Sequence, residues 1–87
     1  MFKSEEMGIS VKISMKLSRH ARNNIKLYQI AEEDILKTIQ SPDFTDREGS
    51  KTIAVKKIPN KFSNYPLKVV YEKIEKEVFI ITLQPIL

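Results

Sequence analysis

The chain holds a single histidine, His20, in the segment Leu17-Ser18-Arg19-His20-Ala21-Arg22. An unperturbed imidazole titrates near pH 6.5. His20 is therefore suited to act as general acid or base on a ribose 2′-hydroxyl or a leaving oxygen. Arg22 is the candidate that accompanies it, holding the phosphate as charge develops. Arg19 and Arg22 lie three apart, on one side of a helix whose start attracts anions, so Arg19 is a candidate nucleic-acid contact. A second reading makes His20 structural: a buried imidazole that donates to a backbone carbonyl and locks helix to sheet.

A second set of candidates comes from the charge distribution. Residues 1–50 carry eight Lys/Arg against eight Asp/Glu, whereas residues 51–87 carry seven lysines against three glutamates. The net charge of +4 thus resides entirely in the C-terminal part, which suits nucleic acid or an acidic protein partner. Lys56, Lys57, Lys61 and Lys68 are expected to form one positive region that contacts phosphates. Tyr65 and Tyr71 stand near them as possible stacking surfaces for bases, although alternation places Tyr71 with Leu67 and Val69, towards a core. Glu32, Glu33 and Asp34 form an acidic run, which the dipole at a helix start explains without chemistry.

Other chemistry is excluded by composition. With no cysteine there is neither a disulfide nor a thiolate metal site, and one histidine leaves a zinc site dependent on carboxylates. No metal, small-molecule cofactor or other prosthetic group is expected. No apolar run approaches the roughly 18 residues needed to cross a bilayer, and Met1–Gly8 lacks the apolar core of a signal peptide. The expectation is a cytoplasmic protein without a membrane partner. At 41% hydrophobic and 30% charged residues, 87 residues make one domain over residues 1–87, its core about 9–84, rather than a disordered chain.

The elements that must position these residues follow from periodicity. Ile9, Val11, Ile13, Met15 and Leu17 alternate with polar residues, predicting a half-buried strand over residues 9–17 whose odd side chains face the core. Ser18 then caps a helix with Leu17, Ala21, Ile25 and Tyr28 on its apolar face. A second helix starts at Glu32, with Ala31 as N-cap and Ile30 and Ile35 as a hydrophobic staple, and Pro42 ends it near Gln40. Pro42–Ser50 reads as a polar loop or frayed edge. Three strands follow, Thr52–Ile58, Pro66–Ile74 and Glu77–Leu83, the last two joined by a tight turn at Glu75-Lys76. The unbroken run Val78-Phe79-Ile80-Ile81 predicts a central strand covered on both faces.

A strand, Ser-Arg-His-Ala-Arg, a helix, an acidic helix start, Ser-Pro-Asp, then Pro-Leu-Lys-Val-Val-Tyr-Glu and Val-Phe-Ile-Ile-Thr-Leu together form a pattern. It resembles a family of small domains of unknown function that looks related to the RelE/ParE-like toxin superfamily, with BrnT toxins as close cousins. The likeness spans roughly residues 12–83. It implies an α+β, two-layer fold: an antiparallel sheet with an N-terminal helix pair on one face, in the order β-α-α-β-β-β. It also implies a toxin of a toxin–antitoxin pair that acts as a metal-independent endoribonuclease, with RNA as substrate and an antitoxin-like protein as partner. The alternative is a catalytically silent module that pairs with a protein or nucleic acid. This chain departs from the ribonuclease pattern near its last strand, where Thr82, Gln84 and Pro85 stand in place of an Arg, His or Tyr.

Overall fold

The computed structural model describes residues 14–86. Its elements are β1 (Ser14–Leu17), α1 (Arg19–Tyr28), α2 (Glu32–Gln40), β2 (Phe44–Glu48), β3 (Lys51–Lys56), β4 (Leu67–Ile74) and β5 (Glu77–Pro85), with a 3-10 turn at Phe62–Asn64. The class is α+β. One five-stranded sheet has the order β1-β5-β4-β3-β2. Ala21, Ile30 and Ile35 of the helical layer share a buried cluster with Leu67, Val69, Val78, Ile80 and Leu83 of the sheet, so both helices cover one face.

Two expectations about the sheet need correction. It is mixed rather than wholly antiparallel, because β1 pairs with β5 in parallel, Met15 opposite Val78 and Leu17 opposite Ile80. The helix pair carries the chain across the sheet to the far edge. It then meanders back through β2, β3 and β4, and this long path is the crossover that a parallel neighbour requires. The segment read as a polar loop contains β2, paired residue for residue with β3 from Phe44–Val55 to Glu48–Lys51. All five of its residues are exposed, so no hydrophobic period announced it. Gly49, at φ +64°, supplies the left-handed turn that closes this hairpin.

In β1, Met15 and Leu17 are partly buried while Ser14 and Lys16 are exposed. The remainder of that expected strand, including Ile9, Val11 and Ile13, lies outside the described residues.

Strand β5 is interior, yet among the described residues the helices cover only one of its faces. Val78, Ile80 and Leu83 are buried against the helices, whereas Phe79 is 37% exposed. The register explains the missing alternation. Tyr71 pairs with Ile80 and Val70 with Thr82, so Ile81 is an extra residue in a β-bulge. A bulge shifts side-chain parity by one residue, so the buried set passes from even numbers (78, 80) to odd (83).

Helix starts follow the local rules. The Ala21 N–H donates to Ser18 Oγ at 3.0 Å, and Gln29 ends α1 in the left-handed region with its N–H on the Ile25 carbonyl. Ala31 leads into α2 between buried Ile30 and Ile35. Having no hydroxyl, Ala31 makes only half a capping box: its N–H donates to Asp34 Oδ2 at 3.3 Å.

Candidate nucleic-acid interface

Ser18 sits at the joint between β1 and α1, where three polar contacts converge on β5. Its N–H donates to the Ile80 carbonyl at 3.0 Å, and its hydroxyl donates to the Ile81 carbonyl at 2.6 Å. One turn on, Asn24 Nδ2 donates to the Leu83 carbonyl at 2.9 Å. Pairing of β1 with β5 stops at Leu17–Ile80; beyond it α1 lies along that edge, and its side chains take up the carbonyls a further strand would have taken.

This arrangement settles where the histidine stands. His20 is exposed, so it is not the buried imidazole that locks helix to sheet; Ser18 and Asn24 do that work. Asn24 falls on the stripe of Ala21, Ile25 and Tyr28, and a polar residue on an apolar face is the signal by which it was readable. Arg19 and Arg22 are likewise exposed. Two residues of α-helix turn the chain through about 200°, so His20 and Arg22 point to opposite flanks of α1. Arg22 groups instead with Arg19 and Lys26.

The four lysines do not form one surface. Lys56 Nζ donates to the Ser41 carbonyl at 2.9 Å and lies 3.7 Å from Asp43 Oδ1, tying β3 to the end of α2. Lys61 Nζ donates to Asp34 Oδ2 at 2.8 Å. The Asp34 side chain is only 2% exposed, that of Lys61 43%. Asp34 is therefore more than a dipole partner: it anchors the loop between β3 and β4 to the start of α2. Lys57 keeps an exposed side chain, and its backbone N–H donates to Asp43 Oδ2 at 2.9 Å. That bond, aided by the Lys56 charge, holds the exposed Asp43 carboxyl below the ordinary aspartate value of 3.8. Lys68, opposite Val55, points to the helix-free face, whereas Lys56, opposite Leu67, points to the helical face. Tyr65 is exposed, and Tyr71 packs against the core.

Sequence reading missed the helix-free face itself. Strand pairings place Phe44, Ile53, Val55, Val70, Ile74 and Phe79 there. Phe44 is 60% and Ile74 55% exposed. On the helical side, a cavity of about 390 Å³ has Ile39, Tyr71 and Val78 in its wall, with Lys73 and Lys76 also lining it. Of the candidates above it contains Tyr71 alone, and none of the histidine, arginine or lysine candidates. Among the described residues, no group of three or more His, Asp or Glu is placed to hold a metal ion, and no helix is long and apolar enough to cross a membrane.

Comparison with protein-family models, with characterised proteins and with solved structures finds no match for this chain.

Proposed function

We propose that this chain is a RelE-like binding module, the toxin-like half of a toxin–antitoxin pair, which engages an antitoxin-like protein through its helix-free sheet face. The observation that carries this reading is the apolar band running from Phe44 on edge strand β2, through Val55 and Val70, to Phe79 and Ile74. Phe44, Ile74 and Phe79 of this band are exposed, with Val70 buried between them; exposed apolar side chains grouped on one face mark an interaction surface. The outer edge of β2 has no strand partner among the described residues. An extended segment of a partner adding there would lay alternate side chains beside Phe44.

The test is co-expression with the protein encoded beside it, followed by co-purification of wild type and of Phe44→Ser/Phe79→Ser. Both side chains are exposed, so the double variant is expected to fold and to lose the partner. A double variant that retains the partner at wild-type yield would rule the face out. Self-association abolished by the same double variant would replace the antitoxin with a second copy.

A second reading, a metal-independent endoribonuclease, is favoured by one observation: His20 is open to solvent at the start of α1, beside Arg19. In that reading His20 exchanges the proton and Arg19, Arg22 and the exposed Lys57 bear on phosphates. RNA cleavage or growth arrest by wild type but not by a fully folded His20→Ala variant would support it; cleavage unchanged in that variant would remove it.

A further inference from the structure

Helix α1 is the most one-sidedly charged element of the fold. Its ten residues, Arg19–Tyr28, include Arg19, Arg22 and Lys26 and no carboxylate. Ala21 and Asn24 face the sheet, so the three cations, at i, i+3 and i+7, share the opposite, outward side. Asn23 lies beside them, and all four are exposed. The stripe covers about 10 Å of rigid helix. Elsewhere among the described residues four cations are answered by a carboxylate, Lys16 by Glu77, Lys37 by Glu33, Lys56 by Asp43, and Lys61 by Asp34, and the remaining lysines are scattered over several strands and loops rather than aligned on one face. Arg19, Arg22 and Lys26 are in no ion pair among the described residues.

We propose that this outward stripe of α1 binds the phosphate backbone of duplex nucleic acid. Guanidinium groups donate to phosphate in a bidentate fork, a lysine adds a point charge, and the Asn23 amide adds a neutral donor. The stripe holds no aromatic ring on which an unpaired base could stack, which single-strand binding uses; Tyr28 is turned to the core. An anionic membrane surface fits less well, because an interfacial helix needs a free apolar face. The apolar face of α1 is buried on the sheet, and Leu27 is its one exposed large hydrophobic residue. The proposal does not rest on the partner reading above, since α1 and the apolar band lie on opposite sides of the sheet.

The test measures fluorescence anisotropy of a short labelled duplex against wild type, Arg19→Gln/Arg22→Gln/Lys26→Gln and the control Lys51→Gln/Lys73→Gln/Lys76→Gln, which removes the same charge elsewhere. Single-stranded oligonucleotide and phosphatidylserine vesicles are run in parallel. The stripe variant should melt with wild type, all three side chains being exposed, yet bind the duplex at least about 10-fold more weakly. Its slope of log affinity against log salt should be shallower by about 2–3 between about 50 and 200 mM. The control should stay near wild type. Equal losses in both variants, unchanged binding by the stripe variant, or no duplex binding by wild type at the lower salt would overturn the proposal. So would tighter binding to the single strand or to vesicles than to the duplex.

Discussion

The Asn24 side-chain amide donates to the Leu83 carbonyl at 2.9 Å, joining residues 59 positions apart in the chain. Asn24 is 8% exposed and Leu83 fully buried, so water cannot replace the bond. Asn24→Ala should therefore leave a buried carbonyl unsatisfied and cost about 1–3 kcal/mol. For a domain of this size each kcal/mol lowers the melting temperature by about 4–8 °C. His20→Ala, four residues earlier and exposed, should change stability by no more than about 0.5 kcal/mol. Thermal melts of the two variants side by side check the assignment; a larger loss for His20→Ala would contradict it.

The Asp34–Lys61 pair should respond unequally to removal of its two ends. Lys61→Met leaves a carboxylate that is 2% exposed without its cation. Breaking a fully buried pair costs about 3–5 kcal/mol; since Lys61 itself is half in water, the lower end, about 3, is expected. Asp34→Asn leaves a lysine free to reach solvent and an amide oxygen that still accepts from Ala31, so the loss should be near 1 kcal/mol. Urea unfolding of both single variants and the double variant measures the asymmetry and the coupling.

Asp43 gives the fold a dependence on acid. Its carboxyl is held below the ordinary 3.8 by the Lys57 N–H and the Lys56 charge. A depressed folded value means that the ionised form stabilises the fold above the unfolded value, and that this contribution is lost as pH falls through the folded one. The melting temperature of Asp43→Asn should lie below that of wild type at neutral pH, and the gap should close as pH drops below about 4. A gap that stays constant down to pH 2 would show that the carboxylate charge plays no part.

Ordinary alternation along β5, on the near side of the bulge, makes two adjacent apolar residues unequal. Ile80 is fully buried and Phe79 is 37% exposed on the helix-free face. Ile80→Ala should cost about 2–5 kcal/mol through lost contacts and the cavity left behind, and Phe79→Ala less than half as much. Denaturant midpoints of the two proteins decide it. Equal losses would mean that the helix-free face is packed rather than open.

What the sequence by itself determined was local. Ser18 as a cap, the apolar stripe of Ala21, Ile25 and Tyr28, the end of α2 before Pro42 and the turn at Glu75-Lys76 rest on hydrogen bonds and side-chain periods within a few neighbouring residues. Such features leave a pattern in consecutive letters. The tertiary structure alone decided the rest. Strand β2 has five exposed residues and exists because β3 pairs with it, so nothing in Phe44–Glu48 marked it in advance. The parallel approach of β1 to β5 depends on the direction in which the meander returns. Asp34 and Lys61 are 27 residues apart and Ser18 and Ile81 are 63; partners so distant share no period. Charge could be counted from the sequence, but not assigned. Lys56 and Lys61, expected to face a ligand, are held by Ser41, Asp43 and Asp34, while the acid-free outer side of α1 keeps its cations turned to solvent. Composition counts the charged groups a chain carries, and only folding brings some of them within reach of a counter-charge and leaves the others free.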